Sequence, residues 1–204
     1  MVVKTELKKA KSELRTTIKS RLAALSQEQF TIAGNTAAQQ LPQIPGWNKF
    51  RSALAFLSMK DEIDTRPIME TILNAGKPLF APKVEKENLV FYQINKNDMK
   101  SCTVAAGKSF PDSICREPAA DPACILTVDN FPVLVITPGM AFDRRYYRMG
   151  RGRGYYDRFF AALDESGRNY TALGLCMNCQ LVDKIPVDTW DKKMDMLLTE
   201  SGLI

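Results

Sequence analysis

The chain has 204 residues, 45% of them apolar, and a net charge of +5, which is enough apolar material for one well-filled core, so a single domain over 1–204 is expected. No histidine occurs anywhere, which excludes imidazole acid–base catalysis, histidine metal ligation and Ser-His triads and leaves carboxylates, cationic side chains and backbone donors as the available chemistry. No run of about 18 uncharged apolar residues is present, no apolar signal stretch follows the lysine-rich start, and five cysteines without framework spacing fit a reducing compartment; a soluble cytoplasmic protein without a membrane partner is expected.

Leu7, Leu14, Ile18, Leu22 and Leu25, with Ala10, recur every three or four residues and predict an amphipathic helix over 5–25. Lys11 and Arg15 lie one turn apart beside that stripe. A second helix is expected over 27–41, ending before Pro42. Residues 53–59 read as an apolar strand, which KDEIDTRP closes with charge before starting a helix near Pro67. That helix continues over 68–75 and stops at Gly76. Short strands are expected at 78–81 and 89–94. The stretch 95–130 contains Pro111, Pro118 and Pro122 with little periodicity, and reads as loops around a peripheral element. Residues 131–137 form the strongest buried strand, 154–163 its following helix, 171–177 another strand and 196–199 a last one. Strands separated by helices predict an α/β fold in three layers, with a mostly parallel central sheet flanked by helices. Ligands in such sheets sit beyond the carboxyl ends of the strands, where Glu62 and the glycine–arginine loop fall.

That loop, RMGRGRGYYD at 148–157, is the most informative part of the chain. Glycines at every second position, Gly150, Gly152 and Gly154, strip side chains from one side. Backbone N–H groups can then approach phosphate oxygens, while Arg151 and Arg153 supply charge and the following helix start adds donors. The pattern is neither GxxxxGK[ST] nor GxGxxG with a distant acid, so it supports no P-loop or Rossmann site. A flexible basic turn and an RNA-binding glycine–arginine segment are the competing readings. Segments of the second kind are usually repeated and disordered, whereas this one is a single copy between strand and helix. Positive charge is concentrated in two places: residues 1–21 carry +5 and residues 143–158 carry +4, against −4 for the remainder. If folding brings the two together, they can close on one anionic ligand.

Carboxylates near a bound phosphate can hold Mg²⁺, which keeps several waters and needs one or two protein ligands. Asp157 and Asp191 are the candidates, although Asp157 equally suits a helix start. Glu62 and Asp64 follow a strand end; Asp64 suits a helix cap, and Glu62 by itself reads equally as solvated surface. Cys176 and Cys179 form an isolated CxxC with no second ligand pair, which reads as a buried thiol with an incidental neighbour, since a zinc site needs about four ligands.

Taken together, FLSMKDEIDT at 56–65, PGMAFD at 138–143 and RMGRGRGYYD resemble the 5-formyltetrahydrofolate cyclo-ligase family, and the resemblance extends to Lys11, Leu14 and Arg15 and to IPVDTWDKKMD at 185–195. It implies ATP-dependent closure of 5-formyltetrahydrofolate, with or without a polyglutamate tail, to 5,10-methenyltetrahydrofolate, by a monomer that needs no nucleic acid. By the same resemblance Lys11, Arg15, Arg148, Met149, Gly150, Arg151, Gly152, Arg153, Gly154, Tyr155 and Tyr156 would hold ATP, and Asp157 with Asp191 would hold Mg²⁺. Leu57, Glu62 and Tyr155 would face the folate, which Arg151 to Gly154 also reach, and Glu62, Arg151 and Arg153 would carry the catalytic roles. Many members have histidine where this chain has Trp190, and the folate-lining stretch is here the diverged SFPDSICREP at 109–118, with Phe110 as its aromatic. A nucleic-acid-binding module and a different ATP-dependent kinase or ligase are the rival functions.

Overall fold

Helix α1 (Val2–Ala23) and helix α2 (Gln27–Gln40) follow the predicted spans in the structure, a computed structural model that describes residues 2–102, 118, 121–188 and 190–204. The stripe of α1 does become an inner face: Ile18 and Leu22 are buried, and Leu14 and Leu25 pack against the same cluster. Ser26 opens α2 with a capping box, its hydroxyl accepting from the Gln29 N–H and its own N–H donating to the Gln29 side chain at 2.8 Å.

Strand β1 (Ser52–Ala55) is wholly buried but ends before the predicted residue 59. The Phe56 carbonyl accepts from the Thr65 hydroxyl at 2.9 Å, and the Ser58 and Thr65 side chains bond each other's backbone N–H groups. Groups that could have extended the ladder are thus used up in the turn into helix α3 (Arg66–Asn74). Strands β2 (Leu79–Glu85) and β3 (Asn88–Ile94) are longer than expected, because they pair antiparallel with each other along their whole lengths. Helix α4 (Lys96–Cys102) is the peripheral element of the next stretch; Phe110 and most of 109–118 lie outside the described residues.

The second half runs through β4 (Val133–Thr137), β5 (Ala141–Asp143), β6 (Arg148–Met149), helix α5 (Tyr155–Glu165), β7 (Tyr170–Leu175), β8 (Leu181–Val182), β9 (Met196–Thr199) and β10 (Gly202–Leu203). The main sheet has the order β10-β9-β7-β4-β1-β2-β3. Its inner pairings are parallel, and only the edge strands β3 and β10 are antiparallel. The expected three layers are present. Ala53, Ala55, Leu134 and Ile136 face a cluster with Ile18, Phe30 and Ile68 from α1, α2 and α3. Leu54, Val133 and Val135 face Phe160 and Leu163 of α5 on the other side, as the period of two along a strand requires.

From β1 the chain crosses by α3 to β2, whereas from β4 it crosses by α5 to β7 in the opposite direction along the sheet. Strand order therefore reverses between β1 and β4. The loops leaving their carboxyl ends diverge there and open a crevice. One of those loops carries Glu62; the other leads through the small sheet β6-β5-β8 to the glycine loop.

Candidate active site

The Glu62 side of the crevice is built by close backbone approach. Helix α2 passes so near the turn that a Cβ on Gly34 would lie 2.2 Å from the Asp64 carbonyl, and the Asp64 N–H donates to the Phe30 carbonyl at 3.3 Å. Asp64 is structural: it accepts the Arg66 N–H at 3.0 Å and pairs with the Arg66 guanidinium at 2.5 Å. Glu62 is 9% exposed. Its Oε2 accepts the Met59 N–H at 2.9 Å, and its Oε1 accepts from Arg151 Nη2 at 3.2 Å. Burial pushes its carboxyl above the usual range, and Arg151 and the Met59 N–H offset only part of that cost. Arg151 also binds Asp61 at 2.6 Å, so one guanidinium from the glycine loop bridges two carboxylates of the β1–α3 loop.

On the other side of the glycine loop, α1 closes in. Arg15 Nε donates to the Gly150 carbonyl at 3.0 Å, and Lys11 Nζ donates to Asp191 Oδ2 at 2.5 Å. The same Asp191 oxygen takes the Asp188 N–H at 2.7 Å, which ties the C-terminal segment to α1. The two positive segments thus meet, and between them lies a cleft of about 430 Å³, within the range of small-molecule sites. Gly152 (φ +101°) and Gly154 (φ +67°) use left-handed backbone that side chains resist. Gly154 is also the N-cap of α5 and offers no side chain to its first turn, whose N–H groups favour an anion. Arg148 is 5% exposed and lies beneath the loop, donating to Asp157 Oδ1 at 2.6 Å and to the Pro138 carbonyl at 3.3 Å. Its Nε and the Tyr156 hydroxyl are buried without a partner.

Of the residues expected to hold nucleotide or metal, Lys11, Arg15, Arg148, Met149, Gly150, Gly152, Gly154, Asp157 and Asp191 line this one cleft. Tyr156 does not. Its ring packs between the two core clusters under the Arg148 guanidinium, 5.6 Å away, and burial pushes its hydroxyl far above the usual tyrosine range. Arg151 lies off the cleft because the carboxylates across the crevice hold it. Arg153 is exposed, Tyr155 carries the Arg158 guanidinium 5.3 Å over its ring, and Leu57 packs half-buried against the core. Three lining residues were not anticipated: Arg158, Ala161 and Trp190. Arg158 donates to the Arg153 carbonyl at 3.0 Å and to the Glu87 carbonyl, fixing the end of the loop to the β2–β3 hairpin. The spacing of Gly154, Arg158 and Ala161 at helical intervals is the signal that could have found the first two; no local pattern points to Trp190.

Asp157 and Asp191 are each ion-paired, and no cluster of three or more candidate metal ligands occurs among the described residues. The donor set is too small for an all-protein cage, yet two carboxylates lining the cleft match the few ligands Mg²⁺ takes from protein. Cys176 is buried and Cys179 half-buried, and burial raises both thiols, so neither is an activated nucleophile.

An α/β fold with a cation-lined, glycine-walled cleft across the glycine loop from its switch-point crevice has the shape and donors that suit a polyanionic small molecule. The sequence profile of the 5-formyltetrahydrofolate cyclo-ligase family matches residues 7–200. The chain is 31% identical to the 5-formyltetrahydrofolate cyclo-ligase of Escherichia coli over 90% of its own length and 97% of the relative's. It is 30% identical to the enzyme of that name from Mus musculus over 95% of each chain. The solved 5,10-methenyltetrahydrofolate synthetase of Aquifex aeolicus superposes with a TM-score of 0.71 at 26% identity, covering 95% of this chain and 91% of that one. This chain belongs to the 5-formyltetrahydrofolate cyclo-ligase family and is an enzyme of that family.

Proposed function

We propose that this enzyme closes 5-formyltetrahydrofolate to 5,10-methenyltetrahydrofolate at the expense of ATP, with the triphosphate in the cleft between α1 and the glycine loop and the folate on the Glu62 side. The observation that carries this division is the position of the loop: its Gly150 and Gly152 backbone faces Arg15 and the cleft, while its Arg151 side chain reaches Glu62 and Asp61. Two substrates can then meet across one strand of backbone.

In this reading the formyl oxygen on N5 attacks the γ-phosphorus and ADP leaves; N10 then attacks the formyl carbon, loses its proton, and the oxygen departs with phosphate. Such transfer needs alignment and charge stabilisation more than a protein nucleophile, and a chain without histidine can supply both. Lys11, Arg15 and the N–H groups at the start of α5 bind phosphate, and Arg151 and Arg153 neutralise the charge that develops during transfer. Glu62 orients the folate and its formyl group. Holding N10 beside the activated carbon makes the second step intramolecular. Asp157 and Asp191 would hold Mg²⁺, which would supply positive charge beside the phosphates. Lys11 and Arg148, which pair with those carboxylates, would then be available to phosphate.

The reading includes one domain, a monomer, a cytoplasmic site of action and acceptance of polyglutamylated folate. A nucleic-acid module is disfavoured because the cations converge on a cleft and are partly neutralised there by Asp157 and Asp191. The test is direct: mixing the protein with Mg-ATP and 5-formyltetrahydrofolate is expected to produce the absorbance of methenyltetrahydrofolate, and ATP hydrolysis without that product would leave only the second rival, a different ATP-dependent kinase or ligase.

A further inference from the structure

We propose that Trp190 is the surface on which the nucleotide's base stacks, making the cleft a site for purine nucleoside triphosphates generally rather than for adenine by hydrogen-bond readout. This rests on the nucleotide reading of the cleft given above.

The cleft is chemically two-ended. The glycine loop and the start of α5 supply backbone and cationic donors, whereas Ala161 and Trp190 supply carbon surface. Ala161 lies six residues along α5 from Tyr155, about 9 Å at 1.5 Å per residue, a span comparable to the distance from a nucleotide's phosphates to its base. Trp190 is the aromatic residue among the described lining residues. It is 63% exposed, although its neighbour Asp191 is pinned to α1 through Lys11 at 2.5 Å. A large apolar ring held on the wet rim of a charged cleft suits a ligand that is polyanionic at one end and flat and aromatic at the other. Stacking reads the extent of the π face and not the hydrogen-bonding edge, so the two large purine bases are equivalent to it. GTP should therefore bind nearly as well as ATP.

The chain has two tryptophans, and the other, Trp47, is 7% exposed in the core with Lys77 over its ring at 5.1 Å. Emission changes on binding consequently report Trp190. The experiment compares ATP, GTP and inorganic tripolyphosphate, each with Mg²⁺, by calorimetry and tryptophan fluorescence, in wild type, Trp190→Ala and Trp190→Phe. In wild type, ATP and GTP should quench the exposed emission with affinities within a few-fold of each other. Trp190→Ala should weaken ATP about 10- to 100-fold, the usual loss for one base–aromatic stack, and leave tripolyphosphate unchanged, which also shows that the variant is folded. Trp190→Phe should keep most of the ATP affinity. If wild type binds ATP and Trp190→Ala binds it equally well, the stacking role is overturned while the nucleotide reading stands. A wild type that binds neither ATP nor tripolyphosphate overturns the nucleotide reading and this inference with it.

Discussion

Glu62 is the residue where function and stability pull apart. Its carboxylate is nearly dehydrated, and the raised carboxyl shows that Arg151 and the Met59 N–H do not fully offset the burial. Because the folded-state value lies above the ordinary 4.5, the protonated form favours the folded state, and that advantage is lost as pH rises through the raised value. Glu62→Gln is therefore expected to raise the melting temperature at neutral pH, with the gain vanishing below the ordinary glutamate range. The same change should lower methenyltetrahydrofolate formation about 10- to 100-fold, the consequence of losing a buried charged hydrogen bond of about 1–3 kcal/mol, while ATP affinity stays near wild type. Thermal melts across pH beside an absorbance assay check both halves; a variant less stable at neutral pH would refute the electrostatic account. Glu62 was legible from the sequence only through its resemblance context, since a charged residue after a strand usually faces water, and its burial depends on Gly34 admitting α2 against the turn.

Among the elements, the short sheet β6-β5-β8 decides how the glycine loop is held, and Asp143 at the end of β5 is its anchor. Fully buried, it accepts the N–H groups of Ile185, Arg145 and Tyr147 at 2.9, 2.9 and 3.1 Å and pairs with the Arg145 guanidinium at 2.6 Å. Burial opposes its charge, but these donors outweigh it and hold the carboxyl below the usual range. The stability it contributes is present above the ordinary 3.8 and is lost as pH falls through the lowered value. Asp143→Asn should lower the melting temperature at neutral pH by roughly 5–10 °C, with the difference shrinking in acid; a pH-independent difference would mean that packing, not charge, is lost. Strands of two or three residues leave no periodic signal, so this sheet could not be read from the sequence, whereas α1, α2, α3, α5 and β9 could, each having either a full apolar stripe or a clear boundary residue.

At the scale of the whole molecule, the cleft joins the first helix, the middle loop and the C-terminal segment, so a ligand there ties the chain's ends together. Mg-ATP should raise the melting temperature, by the equivalent of about 2.7 kcal/mol at 100 times its dissociation constant. Lys11→Ala should shrink that shift while also loosening the segment that Asp191 anchors. Thermal shift with and without Mg-ATP measures it, and an undiminished shift in the variant would place the triphosphate away from α1. By itself the sequence determined the α/β class, the order of most elements and the glycine loop, because these depend on local periodicity and backbone chemistry that neighbouring residues express directly. Only the tertiary structure decided that Lys11 meets Asp191 across 180 positions, that Arg151 turns to Glu62, that Tyr156 belongs to the core, and that Arg158, Ala161 and Trp190 share the cleft. Those outcomes follow from the reversal of strand order between β1 and β4 and the packing of α1 over the loop, long-range contacts whose partners no local pattern names.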